Sequence, residues 1–387
     1  MKRILTGLAA ATVGLAMLAG CSGNGSPAQA PAGGDTIKIG VNFELSGDVA
    51  TYGQANVQGI EMAAEEINKA GGINGKQIEL IKYDTKSDAA EATTLATKLM
   101  TQDKVIAVVG PATSGATKAT LPVAENNKVP VVSPSATADD VTVDANGVKQ
   151  FAFRTCYNDS FQGTAAAEYA VSKFSAKKAV ILRDSSSDYS KGLADAFRTT
   201  FTAAGGEIVS EDAYAKGADN FNAVMTKFKG QEFDVIYLPG YYTEVGKAIK
   251  QARDLGVTQP IVGGDGYDSP VLAEQAGAQL KDVYFSNHYS SEDQDPKVQD
   301  FITAFKAKYN NDPNAFNALG YDTLKFVADA VGRASDLTGE GVQKALAETK
   351  DFAGVTGTFS VDENHNPVKA VVFVGYDASG KLVSEKG

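Results

Sequence analysis

From residue 36 onward, short β-branched runs alternate with amphipathic stretches, and that alternation restricts the chain to very few folds. "TIKIGVNF" is followed by a stretch whose Val57, Ile60, Ala64 and Ile67 share one helical face. Gly71-Gly72 ends it, a normal stop signal. Then come "QIELIKYD", a helix over 86–101, "VIAVVG", a helix near 115–127, and "VPVVSPSAT". The pattern restarts after "FAFRT": "KAVILRD" (178–184), "GEIVSEDAY" (206–214), "DVIYLPG" (234–240) and "PIVGGDG" (260–266) alternate with helices near 160–174, 188–204, 219–229 and 243–255. Repeated βα units of this length predict parallel sheets with helices on both faces, here in two similar α/β units of roughly 120 residues side by side. From about 287 the chain adds "VYFSNHY", two or three helices and a final β pair around "DENHNP". This tail is too long for a linker and too short for a third domain.

The first 35 residues read differently. In "MKRILTGLAAATVGLAMLAGC", Lys2 and Arg3 form a basic start and Ile4 to Ala19 an apolar stretch, the pattern of a secretory signal over 1–20. Its end, "LAGC", matches the bacterial lipobox, in which Cys21 becomes the lipidated first residue. Residues 21–35 continue in Ser, Gly, Pro and Ala, which bury too little apolar surface to order themselves and so read as a flexible tether. No internal apolar run approaches the roughly 18 residues of a membrane span. The expectation is an extracytoplasmic domain, in the periplasm or on the cell surface, held at a bacterial membrane by lipid.

Losing residues 1–20 removes two bases and no acid, so the net charge of −11 becomes −13. An acidic chain of this kind argues against nucleic acid, whose binding needs clustered Lys and Arg. With Cys21 lipidated, Cys156 is the one remaining thiol and no intrachain disulfide can form. It reads as a small buried hydrophobe.

Open α/β sheets bind ligands beyond the carboxyl ends of their strands. After the strand of 105–110 comes "PATSGAT", and after that of 129–132 comes "SPSAT". Both offer hydroxyls and backbone N–H groups at a helix start, where anions bind. "GPATSGAT" follows the spacing of a phosphate-binding loop, but Ala116 stands where that loop needs Lys. Neutral donors of this kind suit one carboxylate better than a triphosphate. Ser114 and Thr137 are also readable as simple helix caps. In the second unit, "RDSSSDYS", "LPGYYTEVG" and "VGGDGYD" bring Tyr189, Tyr241, Tyr242 and Asp265 to the strand ends. Donors on one unit facing an acid on the other complement an α-amino acid, its carboxylate at Ser114 and Thr137 and its ammonium at Asp265. Asp265 is equally readable as a turn residue bonded to its own backbone.

Enzymatic readings find little support. The two histidines, His288 and His365, form no H-x-x-x-H pattern, no Cys cluster accompanies them, and no G-x-S-x-G elbow is present. "SEDQDP" lacks calcium-loop spacing and reads as a solvated loop. The expectation is no enzyme, no cofactor and no metal.

Taken in order, "IKIGVNFELSGDVATYGQANVQGIEMAAEEINKAGGINGKQIEL", "GPATSGAT", "SPSAT", "DYSKG", "PGYYTE" and "GGDG" resemble the leucine/isoleucine/valine-binding branch of type I periplasmic binding proteins, the amino-acid receptors of ABC importers. The resemblance spans 36–387. It implies two doubly wound lobes joined by a three-segment hinge with crossovers near 156, 287 and 370. Lobe 1 would be 36–156 plus 287–369, and lobe 2 would be 157–286 plus 370–387. It also implies roles. Ser114 and Thr137 would bind the ligand carboxylate, a Ser135 carbonyl and Asp265 its ammonium, Tyr189 and Tyr241 would close over it, and Tyr52 and Phe316 would line the side-chain pocket. Some relatives carry Glu where this chain has Asp265. The function implied is a monomeric solute receptor that closes on an aliphatic amino acid and hands it to an ABC permease of the inner or cell membrane. A ligand sensor of the same fold acting on a partner protein is the alternative.

Overall fold

The computed structural model describes residues 36–386. The expected signal peptide, the expected lipidation site Cys21 and the expected tether lie outside the described residues. The first half of the chain builds one sheet from β1 (Ile37–Phe43), β2 (Ile78–Asp84), β3 (Ala107–Val109), β4 (Val131–Ser133) and, after a small β5–β6 ribbon (Val143–Asp144, Gly147–Val148), β7 (Ala152–Arg154). Its order is β2-β1-β3-β4-β7 and every pairing is parallel. Helices α1 (Ala50–Lys69), α2 (Ala89–Lys98) and α3 (Ser114–Asn127) make the crossovers. Six of the seven β1 residues are buried, as expected of a central strand covered on both faces.

The second sheet takes β8 (Lys178–Asp184), β9 (Glu207–Tyr214), β10 (Val235–Tyr237), β11 (Ile261–Gly263) and β12 (Val283–Asn287), linked by α4 (Asp159–Phe174), α5 (Asp188–Ala203), α6 (Asn222–Lys229), α7 (Tyr242–Asp254) and α8 (Pro270–Ala276). The chain then leaves this sheet for α9 (Pro296–Tyr309), α10 (Ala315–Arg333) and α11 (Gly339–Ala347), with α10 packed along α1. After a small β13–β14 ribbon (Phe352–Gly354, Gly357–Phe359) it returns as β15 (Val372–Tyr376) and β16 (Leu382–Lys386). The order is β16-β15-β12-β11-β10-β8-β9. β9 to β12 are parallel, whereas β15 and β16 run antiparallel at the edge. The protein is thus an α/β fold of two doubly wound lobes, with one antiparallel hairpin that the alternation did not anticipate.

Three local differences have physical causes. The helix expected over 86–101 starts later, because Lys86 and Ser87 sit at positive φ and the Asp88 carboxylate caps the Glu91 N–H at 2.7 Å. It also ends in a π turn, Leu99–Asp103, with Lys104 left-handed after it. The β pair expected around "DENHNP" is a single bridge between Val361 and Pro367. Pro367 has no N–H to extend a ladder, and Asp362 draws the Asn364 and Asn366 N–H groups into a turn.

Candidate functional site

The carboxyl ends of both sheets face one small cavity with an empty volume of about 230 Å³. It is lined by Tyr52, Ala112, Thr113, Ser114 and Ser135 from the first lobe, by Tyr189, Tyr241, Asp265 and Gly266 from the second, and by Phe316 of α10. A larger groove lies elsewhere, near Thr51, Tyr376 and Ser290.

The donor side is built by the loop after β3. Gly110 has φ +90°, and a Cβ there would lie 2.5 Å from the Asn42 carbonyl oxygen, so only glycine lets this loop pass β1. Thr113 occupies the N-cap of α3, and Ser114 is its first residue rather than its cap. The Ser114 hydroxyl accepts the Ala138 N–H at 3.1 Å, and Ser135 Oγ donates to the Ala112 carbonyl at 2.9 Å. Both residues are more than nine-tenths buried yet line the cavity. Thr137 does not line it. It is fully buried, and its carbonyl accepts the Asp159 N–H.

Part of this loop already holds an anion. The Glu44 carboxylate, fully buried, accepts the N–H groups of Ala112 (3.0 Å) and Thr113 (3.1 Å) and the Thr113 hydroxyl (2.8 Å). Burial raises its pKa above the ordinary value, and the bonds from Ala112 and Thr113 pull the other way. Thr117, which would hold magnesium in a phosphate loop, instead donates to the Pro111 carbonyl at 3.0 Å. A polyphosphate would meet a buried carboxylate and no lysine. A single carboxylate can still use the Ser114 hydroxyl and the free N–H groups of the first turn of α3.

Across the cavity stands Asp265, buried in the turn after β11. Tyr189 Oη donates to Oδ1 at 2.8 Å, and His288 Nε2 lies 3.0 Å from Oδ2. Its backbone N–H is held by Gln162 Oε1 at 2.9 Å, and the Gly266 N–H donates to Tyr189 Oη at 3.0 Å. Aromatic rings fill the space between acid and donors. Tyr52 stacks on Phe316 (centroids 4.4 Å apart) and meets Tyr241 edge-on, while Tyr241 lies parallel to Tyr189. Tyr52 Oη donates to the Gly266 carbonyl, so its hydroxyl is spent across the cleft.

The structure therefore gathers Ser114, Ser135, Tyr189, Tyr241, Asp265, Tyr52 and Phe316 around one cavity and sets Thr137 behind it. Sequence reasoning missed Glu44 and His288. Each is the first residue after a strand, β1 and β12, so the strand-end rule applied to every strand would have found both. Among the described residues no three His, Cys, Asp or Glu side chains are placed to hold a metal, and no helix is long and apolar enough to cross a membrane.

Residues 36–381 match the family model described as periplasmic binding protein. The chain is 33% identical over 330 residues to the leucine-, isoleucine-, valine-, threonine- and alanine-binding protein of Pseudomonas aeruginosa, covering 85% of this chain and 86% of that one. The solved LivJ of Streptococcus pneumoniae, a branched-chain amino acid transporter substrate-binding protein in complex with isoleucine, is 44% identical. Its TM-score is 0.86, with 91% of this chain and 99% of that one covered. The leucine-binding protein LivK of Thermotoga maritima is 34% identical with a TM-score of 0.85, covering 90% and 98%.

Proposed function

Because the chain belongs to the periplasmic binding protein family, we propose that it is the extracytoplasmic receptor of an ABC importer for a branched-chain or similar aliphatic amino acid. The observation that carries this reading is the polarity of the interlobe cavity: neutral donors at Ser114 on one wall, an acid at Asp265 on the other, and ring faces between them. An α-carboxylate would be held by Ser114 and the start of α3, with Thr137 supporting that wall from behind. An α-ammonium would meet Asp265 and the Ser135 main chain. Burying both charges is tolerable because each finds an opposite charge or donors.

The side chain would lie among Tyr52, Tyr241, Tyr189 and Phe316. The Tyr52 and Tyr189 hydroxyls are committed to Gly266 and Asp265, which leaves their rings to face the ligand. An apolar group is favoured there by about 0.8 kcal/mol per buried CH₂. That increment separates Leu from Ala better than Leu from Ile.

The two lobes, 36–156 plus 287–369 and 157–286 plus 370–387, would close as hinged bodies around this ligand. Lipidation at Cys21 would tether a monomer to the cell membrane beside its permease, without catalysis or cofactor. The test is a thermal-shift screen of ligand-stripped protein against the common amino acids. Leu, Ile or Val should raise the melting temperature in proportion to log concentration. A screen in which no amino acid shifts the melt would overturn the reading.

A further inference from the structure

Asp265 lines the cavity, and both of its carboxylate oxygens are held by neighbouring side chains. The residue that reaches it is His288, which directly follows β12 and is buried with its side chain 1% exposed. The imidazole stacks on Tyr157, with ring centroids 3.8 Å apart, and this fixes its plane. Its Nε2 meets Asp265 Oδ2 at 3.0 Å, while Tyr189 holds Oδ1. A carboxylate only accepts, so Nε2 carries the proton and Nδ1 is the bare nitrogen. Nδ1 has no partner among the described residues.

We propose that His288 is a positioning residue of the ammonium site, donating Nε2–H to Asp265 so that, with Tyr189, it decides which carboxylate lone pairs remain for the ligand's ammonium group. This rests on the amino-acid reading above and adds a residue to it. The pair is a neutral imidazole on an acid, and its net negative charge is what an ammonium group needs. A second proton on His288 would cancel that charge and would place an N–H at Nδ1 with nothing to accept it.

The other titratable groups around the pair do not replace it. Tyr157, Tyr189 and Tyr52 are phenols raised well above their usual range by burial. Asp159, on α4, is held towards its neutral form by burial. Lys369, before β15, is lowered by burial to about 8 and stays mostly charged where His288 would titrate. Burial also lowers the His288 pKa from its usual value despite the bond it donates to Asp265. The neutral form is therefore the working one near pH 7, and the loss belongs below about 6.5.

Calorimetry with L-leucine on the full-length mature protein tests this, comparing wild type, His288→Leu and His288→Gln across pH 5 to 8. Gln places an amide N–H near the position of Nε2 but does not titrate. His288→Leu should raise Kd at least about tenfold at pH 7.5, and His288→Gln should recover most of it. Below the His288 pKa, wild-type Kd should climb towards tenfold per pH unit, and the Gln variant should stay nearly flat. Melting curves accompany each variant. If the Leu variant unfolds, the difference in pH slope between wild type and Gln decides alone. Wild-type affinity in a folded Leu variant, or equal slopes in wild type and Gln, would overturn the proposal. Wild-type protein that binds no amino acid at any pH would instead overturn the functional reading.

Discussion

Single side chains set the chemistry of the cleft, and their effects are separable. Asp265→Ala removes the acid that lines the cavity and leaves the Tyr189 and His288 donors without their acceptor. Ser114→Ala removes a hydroxyl beside the start of α3. Hydrogen bonds to charged groups contribute about 1.5–3 kcal/mol each, so both variants should weaken amino-acid binding more than about tenfold in calorimetry. Near-wild-type affinity in both would show that the ligand sits elsewhere. The second histidine gives a stability prediction. His365 stacks on Phe153, bonds the Ala152 carbonyl at 3.0 Å and sits at φ +61°. Burial lowers its pKa below the usual value, against the bond to Ala152. A lowered pKa means stability that is present above about 6.5 and lost as pH falls through the folded value. The melting temperature should therefore drop between about pH 7 and 5. His365→Asn tolerates the left-handed backbone, so it should lower the melt at pH 7.5 yet flatten that decline. An unchanged slope would assign the acid sensitivity to other groups.

At the scale of elements, the tightest constraint is the crossing of α1 and α10, which fixes Tyr52 against Phe316. A Cβ on Gly59 would lie 2.0 Å from the Asn317 carbonyl oxygen, and one on Gly320 would lie 2.2 Å from that of Asn56. Reciprocal glycines let the two backbones touch, and Asn317 Nδ2 bonds the Ala55 carbonyl at 2.8 Å across the same seam. Gly320→Ala should cost about 1–3 kcal/mol by overpacking and should spread the aromatic wall of the cavity. Denaturant midpoints read the first effect and leucine affinity the second. A variant as stable as wild type would mean that the helices can slide apart cheaply. The helices were legible from their periodicity, but this seam was not. Glycines in an amphipathic pattern read as small surface residues until the partner helix, more than 250 residues away in sequence, is known. The antiparallel β15–β16 hairpin escaped for a similar reason. "VVFVGYDASGKLVSEK" has hairpin chemistry, and nothing local says which sheet its edge will join.

Across the whole molecule, polar contacts join the two lobes at the mouth of the cleft. Lys118 of α3 reaches Asp188 at the start of α5 at 2.8 Å and Asp140 at 2.5 Å. Lys216 meets Asp48 at 3.1 Å, Thr243 Oγ1 donates to the Asp48 carbonyl, and the Thr51 and Ser269 hydroxyls are 3.0 Å apart. These groups are partly exposed, so each pair contributes at most about 1 kcal/mol and is screened by salt. Lys118→Met should therefore speed ligand release only a few-fold, and release should become less sensitive to ionic strength, as stopped-flow measurements at low and high salt would reveal. Release slowed by the mutation would argue that Lys118 opposes closure.

The sequence by itself determined the parallel α/β architecture, the restart after residue 155, and the strand-end loops that carry most of the cavity. These follow from local periodicity and from a general rule about where open sheets bind. Only the tertiary structure decided what those loops do. It put Glu44 into the N–H groups of Ala112 and Thr113, withdrew Thr137 behind the wall, and set His288 against Asp265. Each is a meeting of buried polar groups whose energies depend on distances of about 3 Å. Such distances are fixed by how whole elements pack, and no short stretch of sequence encodes them.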